Sequence, residues 1–258
     1  MKDRGKHMRL NELDVMQDKQ VYYFVKFTKP EYVQDLLDGN LFMQPLKSFI
    51  EQEEREQVRG QGDRLEGAAV GQVENLSVVD NRTGEVVAEF GKKGIILRHP
   101  DAGYVPVFCF TAFTKNDFEV VQADEEYAYV KLSLTEEDKQ KIIDNFGKSA
   151  VILPNDFPHL VAATIQDEHY GQITGVRYVD YSAGVMYKEQ LEQFIEGDIG
   201  LAFWKEDFFK YQREFRLAFS TMPTDKANKY SIGDVLKDCI VVDINYFFDE
   251  AIHRLPLK

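Results

Sequence analysis

Hydrophobic positions along the chain fall mostly into short alternating or continuous apolar runs bounded by turn residues, with few stretches of helical period. The run Val21-Tyr22-Tyr23-Phe24-Val25-Lys26-Phe27 is aromatic and β-branched, which suits a pleated surface and predicts a first, central strand. Pro30 fits the first turn of a helix and Gly39 its end, predicting a short helix over 30–38 with Leu36 and Leu37 facing the core. A short strand over 40–43 and a helix over 46–57 follow, and the charged run Glu51-Gln52-Glu53-Glu54-Arg55-Glu56 reads as a solvated face.

Between 58 and 71, Gly60, Gly62, Gly67 and Gly71 stand among polar residues, a composition that predicts a flexible loop. Two β-rich runs, 73–79 and 85–90, flank Asp80-Asn81-Arg82-Thr83-Gly84 and predict a hairpin insertion near 73–90. Further strands are expected over 94–98, 105–113 (with Pro106 at its start or edge), 127–134, 151–153, 173–181, 214–219 and 239–244. Thr135 with Asp138 resembles a capping box that starts a helix ending near Phe146-Gly147, and helices are expected near 188–196 and 205–212. This order is not a strict βα alternation. It predicts an α+β fold, with a mainly antiparallel twisted sheet and peripheral helices, over a doubly wound parallel one. The expected layout is an N-terminal tail over 1–19 and a single domain over 20–258. In that tail the His7-Met8 pair matches a common cloning junction, and Met8 is read as the native start.

Composition narrows the function. The 258 residues carry 31 Lys+Arg against 44 Asp+Glu, a formal charge of -13. Such a balance repels a phosphate backbone, so general nucleic-acid binding is disfavoured. It suits either plain solubility or an acidic face that engages a basic host protein. Cys109 and Cys239 are far apart with no CxxC, and no apolar run reaches the roughly 20 residues of a membrane helix; free thiols, a reducing cytoplasmic setting and no membrane span are expected. The chain lacks GxxxxGK[ST], GxGxxG after a strand, HExxH and GxSxG, and so lacks the signatures of P-loop, dinucleotide-fold, zincin and hydrolase-elbow proteins. His99, His159, His169 and His253 show no ligand spacing, and no metal is expected. Glu137-Asp138-Lys139 has the spelling of a nuclease motif but sits at a helix start, where acids complement the dipole.

The stretch Phe208-Phe209-Lys210-Tyr211-Gln212-Arg213-Glu214-Phe215-Arg216-Leu217 runs an aromatic helix straight into a strand. Together with Val25-Lys26-Phe27, the Asp38-Gly39-Asn40-Leu41-Phe42 turn and the Val107-Phe108-Cys109-Phe110-Thr111 strand, it resembles an uncharacterised bacterial and phage family that closes with Trp-x-x-Glu-x-Glu-x-Arg. Here Phe209 stands for the Trp and Gln212 for the first Glu. The resulting Gln212-x-Glu214 on a late strand resembles, more distantly, the ADP-ribosyltransferase fold with its split sheet.

That second resemblance implies NAD or a related nucleotide as ligand and a part in phage–host conflict. It implies Glu214 as the catalytic carboxylate facing an oxocarbenium-like ribose and Gln212 as the residue that orients the acceptor. Lys26, Thr111 and Arg216 become cofactor-binding residues, with Lys26 where the fold usually has His or Arg, a change that loses a planar fork of donors. Asp63 and Glu66 in the glycine-rich segment are candidates for a lid. The plain alternative is that Glu214 pairs with Arg216 or Lys26 and fixes sheet register. A non-catalytic acidic protein that inhibits or sequesters a host protein is the competing function.

Overall fold

The computed structural model describes residues 8–16, 22–56, 59–164 and 171–257. Residues 1–7 and 17–19 of the expected tail, Val21 at the start of the first strand, Gln57, Val58 and His169 lie outside the described residues. The fold is α+β with mostly antiparallel sheets; the parallel pairing among the described strands joins Arg177–Val179 to Trp204–Glu206.

Eight strands make the main sheet: β1 (Tyr22–Thr28), β2 (Asn40–Pro45), β3 (Pro106–Thr114), β4 (Ser149–Ile152), β5 (Gly171–Gly175), β6 (Glu214–Phe219), β7 (Asn228–Ser231) and β8 (Ile240–Asp243). Their order is β5-β6-β3-β1-β4-β8, with β2 joined to β3 and β7 to β2. Side chains alternate across the pleat, and both faces of the sheet are covered. One face carries Val25, Phe27 and Phe113, packed with Phe118, Ile142, Phe209 and Phe247. The other carries Phe24, Phe108, Phe110 and Leu217, packed with Phe157 and Leu236. The helices are α1 (Val33–Leu37), α2 (Leu46–Glu56), α3 (Glu136–Phe146), α4 (Phe157–Thr164) and α5 (Lys188–Glu196). The Thr135 hydroxyl accepts from the Asp138 N–H at 3.1 Å and caps α3.

One break in this sheet positions the site. Strand β3 pairs with β1 only through Thr111–Thr114 and with β2 only through Pro106 and Val107. On that edge Phe108, Cys109 and Phe110 have no strand neighbour, while their other edge is fully paired with β6. Meanwhile Val25–Thr28 of β1 turn to β4. The strands fork beyond the Val25–Thr111 pair, and a cleft opens between them.

Several expectations change. Leu10 is buried in the core and Arg9 bridges to Glu119, so the packed part of the chain begins before residue 20. The glycine-rich segment is packed rather than loose: Gly62 lies so close to α2 that a Cβ there would stand 2.6 Å from the Glu53 nitrogen, and one on Gly60 would stand 2.4 Å from Asn145 Oδ1. Those glycines permit close approach of backbone to helix. The expected 173–181 strand breaks at Val176, whose N–H donates to the Glu214 C=O, into β5 and Arg177–Val179. The expected 205–212 helix is a short strand, Trp204–Glu206, followed by a 3-10 turn, Asp207–Gln212. At 76–90, Leu76–Val79 pairs antiparallel with Val86–Phe90 across the Asp80–Gly84 turn, and Ala68–Val73 pairs with Lys93–Arg98 below it, making one long two-stranded arm.

Candidate functional site

The cleft at the fork has a volume of about 800 Å³. Because it opens through a break in the sheet, it draws on both faces: Lys26, Phe108 and Phe110 from one, Cys109, Thr111, Gln212, Glu214 and Lys205 from the other. Aromatic rings of Tyr32, Phe42 and Phe49 join the lining, with Lys29 and Lys229 also contributing.

Glu214 opens β6 directly after Arg213, which has φ of 45°. A left-handed Arg is a strained conformation, and two contacts hold it: Arg213 Nε donates to Asp117 Oδ1 at 2.6 Å and its Nη1 to the Tyr211 C=O at 2.9 Å. The Glu214 N–H in turn donates to the Tyr178 hydroxyl at 2.7 Å. This turn sends Gln212 and Glu214 to the same region from opposite sides of one residue.

Behind the cleft lies a buried network of charges. Arg216 donates a bidentate fork to Glu66, Nη1 to Oε2 at 2.8 Å and Nη2 to Oε1 at 3.0 Å, and its Nε donates to Glu214 Oε1 at 2.7 Å. Lys205 Nζ donates to Glu214 Oε2 and to Gln212 Oε1, both at 2.9 Å, and lies 3.5 Å from Glu66. Gln212 Nε2 donates to the Gly60 C=O at 3.1 Å, and the Thr111 hydroxyl to the Gln212 C=O at 3.1 Å. Burial alone would push the Glu214 carboxyl up, but Arg216 and Lys205 override it and hold the group well below the usual carboxylate range. Burial likewise opposes the Lys205 charge, and Glu214 and Glu66 overcome it, so that ammonium is held more firmly than usual.

Asp63 is the odd member. It is fully buried; Oδ1 accepts from the Leu65 N–H at 2.8 Å, and Oδ2 has no partner among the described residues. Burial, then the nearby Glu66 charge, pushes its carboxyl up to about 7. Asp63 and Glu66 therefore do not form a lid over the cleft. Both are buried beneath it, Glu66 paired with Arg216 and Lys205 and Asp63 held by the Leu65 N–H.

Lys26 differs from Lys205. Its Nζ donates to the Cys109 C=O at 2.5 Å and stands 4.7 Å from the Phe108 ring centroid. No carboxylate pairs with it among the described residues, and burial, the leading cause, lowers its pKa. An ammonium has three donors, so two remain for a ligand. The Cys109 N–H faces the same way: the Ala112 N–H donates toward the β6 side, to the Arg213 C=O, and alternation along a strand turns Cys109 to the open edge. A main-chain N–H and an ammonium thus converge on the gap, which suits an anionic oxygen. The Cys109 thiol, pushed up to about 12 chiefly by burial, stays protonated and is not a nucleophile at neutral pH.

The site unites Lys26, Thr111, Gln212 and Glu214 in one cleft. It places Arg216, Asp63 and Glu66 behind them as support. Lys205 and Tyr178 escape the sequence reading, which names Cys109 only as a free thiol on a strand; the apolar run Ile199–Trp204 leading into Lys205 is the signal that a buried lysine follows. No group of three or more His, Cys, Asp or Glu side chains that could hold a metal occurs among the described residues. Among them, too, no helix is long and apolar enough to cross a membrane. Compared with known protein families, curated proteins and solved structures, the chain matches none of them.

Proposed function

We propose that the chain binds NAD or a related nucleotide in the forked cleft and belongs functionally with ADP-ribosyl-transferring proteins. The observation that carries the reading is the Lys26 ammonium, with two unspent donors beside the Cys109 N–H, at the mouth of a cleft that also presents Thr111, Gln212 and Glu214. A diphosphate would seat on the ammonium and the main-chain N–H. Phe42, Phe49 and Tyr32 offer ring faces against which a base can stack, and a volume of about 800 Å³ falls within the range of small-molecule and cofactor sites.

In the transfer step, the bond between the ribose C1′ and the nicotinamide nitrogen breaks and its electron pair leaves with nicotinamide. The acceptor nucleophile bonds to C1′ and releases its proton to solvent. Glu214 would stabilise the positive charge that grows on the sugar. Its Oε1 is taken by Arg216 and its Oε2 by Lys205, and the Cys109 thiol also donates to the carboxylate, so a ribose hydroxyl would take the acceptor capacity that its lone pairs still leave. Because two cations already neutralise it, Glu214 serves best as a fixed, pre-aimed acceptor rather than as a proton-abstracting base.

Calorimetric titration of NAD, ADP-ribose and ATP into the wild type, Lys26→Ala and Glu214→Ala tests both levels. Binding in the wild type with a loss of tenfold or more in Lys26→Ala is expected. Wild-type protein that takes up none of the three overturns the reading. Unchanged NAD turnover in Glu214→Ala removes the transferase step while leaving the binding site.

A further inference from the structure

Lys26 differs from other lysines of the chain in what surrounds its nitrogen. Lys205, Lys139, Lys141, Lys188 and Lys229 each lie against a carboxylate, which favours the charged form. Lys26 Nζ instead meets the Cys109 C=O at 2.5 Å and the Phe108 ring, 4.7 Å from its centroid. Both neighbours are electron-rich, and neither carries a formal charge. Burial lowers the Lys26 pKa against the opposing pull of Glu214, so the free amine is more abundant here than on an ordinary surface lysine.

The same neighbours aim that amine. In its neutral form it carries two N–H donors and one lone pair. A carbonyl oxygen only accepts and the face of an aromatic ring is negative, so the N–H bonds turn to Cys109 and Phe108. The lone pair is left to the cleft, whose wall Lys26 forms. An amine lone pair presented to a ligand cavity is a nucleophile, and a carbonyl carbon is the electrophile with which lysine forms a Schiff base. The rest of the wall indicates which carbonyl compound fits. The Cys109 N–H and the side chains of Lys29 and Lys229 suit an anionic group on the same molecule. We infer that Lys26 condenses with aldehydes that carry an anionic group and holds them in the cleft as an imine. In that step the amine lone pair bonds to the carbonyl carbon, the carbonyl π pair moves to its oxygen, and the two amine protons leave with that oxygen as water. No oxidant or reductant is consumed. The inference shares the cleft with the nucleotide reading without depending on it, since a bound diphosphate would hold the ammonium whereas an aldehyde draws on the amine.

Trapping with borohydride tests this on the whole wild-type chain. Limiting pyridoxal 5′-phosphate, an aldehyde with a phosphate, is added at neutral pH, the imine is reduced to a stable secondary amine, and the labelled lysines are mapped by mass spectrometry; pyridoxal, which lacks the phosphate, is the comparison. The expected result is about tenfold more label at Lys26 than at Lys188 or Lys229, and less label at Lys26 from pyridoxal. Lys26→Arg should take up only the label of the surface lysines. Label spread evenly over the lysines, or missing from Lys26, overturns the inference. Equal labelling of Lys26 by both aldehydes overturns it too, because no anion site would then accompany the amine. Selective labelling that excess NAD does not slow supports the inference while counting against the nucleotide reading, and NAD binding by a protein whose Lys26 takes no label overturns the inference while leaving that reading intact.

Discussion

The floor of the cleft and the tip of the arm reverse the usual placement of residues in opposite directions. At the floor, Arg216, Lys205, Glu66 and Glu214 are almost wholly out of water; at the tip, Leu76, Val78 and Phe90 stand in it. The two departures differ in what they demand. Buried charges need partners within the fold, and here nearly every donor and acceptor finds one. Exposed apolar side chains at the tip belong to no core cluster among the described residues. The comparison separates a region whose charges are met inside the fold from one whose apolar side chains stay in contact with water.

The sharpest way to break the first half of that comparison is Arg216→Ala. Two buried carboxylates would then share Lys205 alone, and a loss of about 3–5 kcal/mol is expected by denaturant unfolding. Adding Glu66→Gln should recover part of this, because the surplus negative charge disappears while Glu214 keeps its ammonium. Strictly additive losses in that double-mutant cycle would show that the pairs act independently and that the floor is not one network.

Asp63 measures how complete the floor is. Its carboxyl titrates near 7 in the fold and near its ordinary value of about 3.9 when unfolded. Between those pH values the native state therefore holds the extra proton. Stability contributed by that proton is fully present at low pH and is lost as pH rises from about 4 to about 7, levelling off above. Asp63→Asn removes the titration. The variant should lack this part of the decline and be more stable than wild type at pH 8 by about 1–3 kcal/mol. Parallel stability-against-pH curves for the two proteins would mean that the unpartnered Oδ2 is accommodated at no cost.

What the sequence revealed divides along the same line. The strand over 21–27, the cap at Thr135 and the turn at Asp80–Gly84 were legible because local rules govern them: side-chain shape on a pleat, an orphan N–H at a helix start, and the φ/ψ demands of a turn. Gln212 and Glu214 stood out by their two-residue spacing, although the structure puts Gln212 at the end of a 3-10 turn and only Glu214 on the strand, with left-handed Arg213 between them. Lys205 did not, and Asp63 and Glu66 were read as a lid rather than as a buried floor, since their burial depends on contacts between distant parts of the chain, such as Glu66 with Arg216 some 150 positions away. Glycines at 60 and 62 were misread for the same reason. A residue without a side chain serves a loose loop or a tight packing contact equally well, and only the approach of α2 to Gly62 and of Asn145 on α3 to Gly60 distinguishes the two. The fork between β1 and β3 was likewise invisible, because nothing in either strand's own sequence says where their pairing stops.

The smallest expected effect supplies the reference for the others. Lys188 and Glu192 form an i,i+4 pair on α5 at 2.9 Å, with side chains 87% and 53% exposed. By distance this ion pair matches Lys205–Glu214, also 2.9 Å. Lys188→Ala should nonetheless change stability by no more than about 0.5 kcal/mol, because water solvates the Glu192 carboxylate left behind. At the floor no water replaces the lost partner, and the stranded charge rather than the lost attraction dominates the cost. Denaturant unfolding of Lys188→Ala and Arg216→Ala under one buffer compares them directly. If the two losses agreed within error, water would have to reach the floor, and the rigid support assigned to Glu214 would lose its basis.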